Sequence, residues 1–257
     1  WSTQGEWFKK GIEAGYLSGD LFYLAHCAVT CTVYNPSLTL PASLEDQKKY
    51  LKVIKDTNYA DAYDTARMNL QATKNRMGLT DSPLSMNDTV FSEEHCLEQM
   101  TRRKYLSGIG MLHIHKAGIF LDNEQYEKGF DSIQQADKYV KSLVSLVVLT
   151  PLCFISFFTC SGYLINRKNP PRRILEKRMK KELTKMKKWA TYNPTNFLHI
   201  QHLMEAEMAG VENRVSVCED LYEKAIKLAN QHEWHADEAY ANELAAKFFT
   251  RNNHEKA

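Results

Sequence analysis

The segment SLVSLVVLTPLCFISFFTCSGYLI, residues 142–165, has no charged side chain, and a strongly basic run follows it. It constrains the fold more than any other feature. As one helix it would rise about 36 Å at 1.5 Å per residue, enough to cross a bilayer, and the basic flank would suit a cytoplasmic end. The segment's own composition argues otherwise. Eight of its twenty-four residues are Ser, Thr, Pro or Gly, and no apolar run exceeds four residues. Thr150-Pro151 has the form of a helix start, Thr as cap and Pro in the first turn. The stretch therefore reads as the end of one helix near Leu149, then a buried helix from Pro151 to about Leu164. A membrane-tethered protein spanning at 142–165 is the less favoured reading.

The rest of the chain supports a helical context. Gly and Pro number only 11 and 7 in 257 residues, too few for a turn-rich β fold. Apolar residues recur at helical spacing nearly throughout. Ser43 with Asp46 resembles a capping box, 59–77 reads as a helix closed by Gly78, and 79–91 reads as a loop because Asp, Ser, Pro and Asn cluster there. The sequon at Asn87 lies in that loop; without a secretion signal it is not expected to be glycosylated.

A repeat is also visible. Small Ala117 and aromatic Phe120 precede a polar turn, then Gly129 and Ala136. Ala206 and Ala209 precede another turn, then Cys218, Tyr222 and Ala225. Ala245 and Phe248 begin a third copy that stops at Ala257. The first small residue precedes the second by twelve positions in each copy. Two antiparallel helices joined by a tight turn approach closely where small side chains cross, and a large residue one turn away fills the gap to the next pair. The expected fold is all-α: stacked antiparallel helical hairpins, a tetratricopeptide-like α-solenoid. One array over 1–257 is expected, a fragment of a longer chain, with a division into 1–165 and 166–257 as the alternative organisation.

Charge is unevenly placed. Residues 167–188 hold eleven Lys or Arg and two Glu, so the remainder of this +2 chain sums to −7. Leu175, Met179, Leu183, Met186 and Ala190 share one helix face there. Arg172, Arg173, Lys177, Arg178, Lys181, Lys185 and Lys188 form a candidate partner-binding basic face. The bland reading is a solvated outer face of an array helix. Few aromatic residues interleave with these charges, so nucleic acid is not an expected partner.

No nucleotide, hydrolase or kinase motif is present, and SGIGMLHI (107–114) lacks the glycine pattern and strand of a dinucleotide fold. The six cysteines form no C-x-x-C pair, and the His pairs 113/115, 199/202 and 232/235 close no metal site. No catalytic residue, cofactor or metal is expected, and the thiols fit a reducing, cytoplasmic setting. Polar residues near helix crossings, Glu205, Glu207, Asn242 and Glu243, are expected to fix register.

The stretches 187–210 (KKWATYNPTNFLHIQHLMEAEMAG) and 221–249 (LYEKAIKLANQHEWHADEAYANELAAKFF) resemble the helical-repeat region of large multidomain sensor kinases, and 11–29 fits the start of that region. The family's order is a protein-kinase-like domain, a P-loop ATPase module, this array, a GAF domain, and a histidine kinase or other output domain. The basic stretch 167–188 departs from the family, where more Glu is expected. The resemblance implies a non-catalytic scaffold whose partners are neighbouring domains of the parent chain, in a cytoplasmic signal-transduction protein. It carries no catalytic residue into this segment. The alternative is a free-standing repeat protein that binds an acidic peptide.

Overall fold

A computed structural model describes residues 4–33, 38–143 and 148–254. Among the described residues the regular structure is helical: α1 (Gln4–Ser18), α2 (Leu21–Cys31), α3 (Leu40–Asp56), α4 (Ala60–Arg76), α5 (Glu93–Arg102), α6 (Leu106–Asp122), α7 (Tyr126–Asp137), α8 (Leu149–Asn166), α9 (Arg172–Tyr192), α10 (Pro194–Val211), α11 (Val215–Gln231) and α12 (His235–His254). A single 3-10 turn, Val140–Ser142, follows α7. The chain forms two compact units, Trp1–Leu149 and Thr150–Ala257. The division falls just after the first residue of α8.

In the first unit α1 packs on α2, α3 on α4, and α6 on both α5 and α7. Ile12, Leu24, Ala25, Ala28, Tyr50, Ile54, Ala62 and Ala66 form one apolar cluster across α1 to α4. Small residues set the approach of α1 to α2: a Cβ on Gly15 would lie 2.7 Å from that of Leu24. Helix α3 starts earlier than the Ser43–Asp46 box implied. Thr39 is its cap, accepting from the Ala42 N–H, and Pro41 sits in the first turn, which leaves Ser43 buried inside the helix. SGIGMLHI is helical and interior to α6, where Gly108 lets the Tyr105 ring and Met100 Sδ come close.

Five chain reversals share one geometry. The left-handed residues Gly78, Lys104, Glu124, Asn213 and Glu233 follow α4, α5, α6, α10 and α11, with φ between 56° and 71°. Each donates its N–H to the carbonyl three residues back at 2.9–3.1 Å, and the next residue donates to the carbonyl five back at 2.8–2.9 Å. This closes the last open carbonyls of a helix in the Schellman manner. After the four non-glycine turns the next helix begins two residues on, and α6 and α11, each 17 residues, lie between two such turns.

In the second unit α9 packs on α10, α10 on α11, and α11 on α12. Helix α8 is the one described helix long and apolar enough to cross a membrane. Leu149 begins it rather than ending a preceding helix, and residues 144–147 lie outside the described residues. Ten of its side chains are buried, spread around the whole circumference. Among them, Ser156 accepts from Arg178 of α9 at 3.0 Å, Cys153 donates to the Glu182 carbonyl at 3.4 Å, and Phe158, with half-buried Phe154, meets the ring of Tyr240 of α12 at 5.3 and 5.4 Å. The polar turn expected after Phe248 does not occur where the repeat pattern put it. Helix α12 continues unbroken to His254, and Ala257 lies outside the described residues.

Candidate functional site

The repeat-packing residues lie where two helices meet. Ala117, Gly129 and Ala136 are buried between α6 and α7, with Phe120 half-buried beside them. Ala206, Ala209, Cys218, Tyr222 and Ala225 are buried between α10 and α11, and the Cys218 thiol faces the Ala206 carbonyl at 3.5 Å. Ala245 and Phe248 are buried on α12, with the Phe248 ring 5.6 Å from that of Tyr222.

Acidic groups lie inside both units. Glu207 is 3% exposed on α10. One of its carboxylate oxygens accepts from Ser161 Oγ of α8 at 2.6 Å, the other from the Tyr222 hydroxyl of α11. Burial and the adjacent carboxylate push the Tyr222 phenol far up, so it stays a donor. Glu182 is fully buried on α9, 2.9 Å from Arg178 Nε and 2.7 Å from Lys185 Nζ. His199 on α10 meets Asp237 of α12 at 2.9 Å and stacks on Trp234, whose indole donates to the Thr195 carbonyl at 3.1 Å. Glu205, on the rim of α10, is held at about 2, first by His202 and then, against burial, by Lys187 at 2.9 Å.

In the first unit the buried polar side chains lie mainly on α3 and α4; Asp64 of α4 meets Arg103, and Asn75 ties α4 to the loop 79–92. Asn75 Nδ2 lies 2.9–3.2 Å from Thr80 Oγ1 and the carbonyls of Ser82, Pro83 and Ser85. Lys116 reaches the Leu84 carbonyl at 3.0 Å and Glu93 at 2.8 Å. The Asn87 side chain of the sequon accepts from the Glu93 N–H at 2.8 Å. Burial opposes ionisation of Asp88, but hydrogen bonds from Lys74, Gln71 and the Val90 N–H outweigh it and hold the carboxyl at about 2. Met86 and Phe91 are buried beneath the loop.

These groups serve one another. The two hydroxyls on Glu207 cross-link α8, α10 and α11, the register-fixing role that Glu207 suggests in the sequence, whereas Arg178 and Lys185 hold Glu182 within α9. The histidines do similar work: His113 stacks on Tyr139 at 6.3 Å, and His115 bonds Asn69 at 3.1 Å, where burial and then Arg76 lower it to about 4. Among the described residues no three His, Cys, Asp or Glu side chains converge as a metal site would require.

The basic residues of α9 separate into two groups. Arg178 turns inward onto Glu182 and Ser156, and Lys185 is drawn to the same carboxylate. Arg172 pairs with Glu176 at 2.7 Å. Arg173, Lys177, Lys181 and Lys188 are exposed, as is Lys180, and none of the five forms a salt bridge with a described residue. The apolar face is turned in: Leu175, Met179 and Met186 are fully buried, Ala190 nearly so, and Leu183 half-buried. Buried Glu182 is the residue that periodicity misses, because it stands among lysines in a run that looks solvated.

No family model, curated protein or solved structure matches this chain.

Proposed function

We propose that the chain is a non-catalytic scaffold: a tetratricopeptide-like array of stacked helical hairpins serving protein interaction in a multidomain signalling kinase or ATPase. The observation that carries this reading is the recurrence of one reversal geometry at Lys104, Glu124, Asn213 and Glu233, in each case joining two helices that pack together. Twenty residues separate the first two of these positions and twenty the last two, the length of one helix plus one turn. Such spacing suits a quasi-one-dimensional stack in which each hairpin buries a face against its neighbours. The resemblance of 187–210 and 221–249 supplies the signalling context. Buried acids engaged by side chains of their own and neighbouring helices favour a structural role for the polar core over a reaction centre.

The full reading frame tests the context. A P-loop module upstream and a GAF or histidine-kinase domain downstream are expected. A frame with neither contradicts the assignment to a signalling kinase and favours the alternative, a free-standing repeat protein binding an acidic peptide.

A further inference from the structure

The structure sorts the basic run of α9 in a way the sequence does not. Three of its cations are bound to acids within the helix: Arg172 to Glu176, Arg178 and Lys185 to Glu182. Lys187 is held by Glu205 of α10. The five cations left without an acid, Arg173, Lys177, Lys180, Lys181 and Lys188, are not scattered. At 100° per residue they fall within an arc of roughly 100°, and from first to last they span about 22 Å of helix. The acids of the helix lie off this arc: Glu176 is on its flank and Glu182 is in the core. Like charges at i, i+4 repel by a few tenths of a kcal/mol per pair, so the row weakens its own helix. Two large apolar side chains mark the ends of the row, Ile174 at 57% exposure and Tyr192 at 79%. Both project on one edge of the same arc.

We propose that this row is the docking site for an acidic helical segment of a protein partner. The partner segment carries carboxylates at i, i+4 spacing over about four turns and an apolar residue near each end. Charge complementarity orients it along α9, and Ile174 and Tyr192 provide the apolar contacts that fix its register. A lipid surface fits less well. A basic amphipathic helix binds a membrane by burying its apolar face in the acyl boundary, and that face of α9 is committed to the protein core. A nucleic-acid strand fits less well because Tyr192 is the one exposed ring at the row; Trp189 is half-buried and packed on Phe197 at 5.8 Å.

The site rests on the scaffold reading for its biological sense, but its test is independent. Loss of the signalling context in the reading frame would leave peptide binding untouched, and a failure to bind would leave the array intact. The probe is a fluorescein-labelled helical peptide of about 20 residues, with Glu at i, i+4 spacing and Leu near both ends, titrated against the 257-residue chain by anisotropy. Phosphatidylserine-containing vesicles and a single-stranded oligonucleotide of similar length are titrated alongside. The peptide is expected to bind at low salt and to weaken steeply as NaCl rises towards about 0.5 M. In R173E/K177E/K181E/K188E it should bind roughly tenfold or more weakly. K52E/K55E, which reverses two exposed lysines of α3, should bind like the parent. Replacing the same α9 residues by Gln should give an intermediate loss with unchanged circular dichroism, which separates binding from folding. No peptide binding at low salt, an equal loss in the α3 variant, or tighter binding of vesicles or oligonucleotide than of peptide would each overturn the proposal.

Discussion

The two units both bury acids on helices, but only the first adds a loop held by a buried amide. In Trp1–Leu149 the carbonyls of one loop, 79–92, converge on the single side chain of Asn75, while Asp64 of α4 meets Arg103. In Thr150–Ala257 the buried acids sit on the helices themselves, Glu182 on α9 and Glu207 on α10, and their partners come from the same or neighbouring helices. An unpaired buried polar group costs more than its hydrogen bond gains. A loop must therefore be fixed through many contacts, whereas the single carboxylate of Glu207 ties α10 to both α8 and α11. The loop adds order where helical pairing is interrupted. Glu207 sets the register of helices that small residues alone would allow to slide.

Substitutions sharpen that contrast. The largest effect is expected for Glu207→Ala, which strands the Ser161 and Tyr222 hydroxyls and leaves a void, a loss of about 3 kcal/mol. Chemical denaturation gives its size, and hydrogen exchange should place it in α8, α10 and α11. Asn75→Ala should cost somewhat less, about 2 kcal/mol, because water can reach some of the freed carbonyls; its enhanced exchange should be confined to 79–92 and the end of α4. If either variant loosens the other unit as much as its own, the contrast fails.

Asp88 gives the comparison a pH dependence. Its carboxyl ionises at about 2 in the fold against 3.8 ordinarily, so its stabilisation is fully present above about 4 and is lost as pH falls towards 2. Asp88→Asn should lower Tm by a few degrees at pH 7. That gap should close on acidification to about pH 2; a gap independent of pH would contradict the account. The smallest expected effect runs the other way. Glu124→Gly relieves a left-handed backbone and should stabilise by roughly 0.5–1 kcal/mol, read by the same denaturation.

What is legible in the sequence follows the same physics. Helices and their small-residue crossings announce themselves by period, so the pairing of α6 with α7 and of α10 with α11 can be read from residue spacing alone. Thr150-Pro151 marks the start of α8 to within a residue or two. The reversals at Lys104, Glu124 and Glu233 are silent because no glycine marks them; only their common hydrogen bonds reveal them. The repeat pattern ends α12 too early because Arg251, Asn252 and Asn253 look like a turn, yet nothing there breaks the helix before His254. Which of the α9 cations face inward is hidden for want of one fact, that Glu182 is in the core.

The account depends most on α8 being a helix packed among protein side chains. Cys153 and Cys160 report on it directly: both are buried, and burial raises the Cys153 thiol well above its ordinary value. Thiol labelling of the protein purified without detergent, read out by peptide mass, tests this. We predict a monodisperse protein in which these two cysteines react only on unfolding, while half-buried Cys27 reacts sooner. Rapid labelling of Cys153 and Cys160 in the native protein, or a protein that stays dispersed only in detergent, would contradict it.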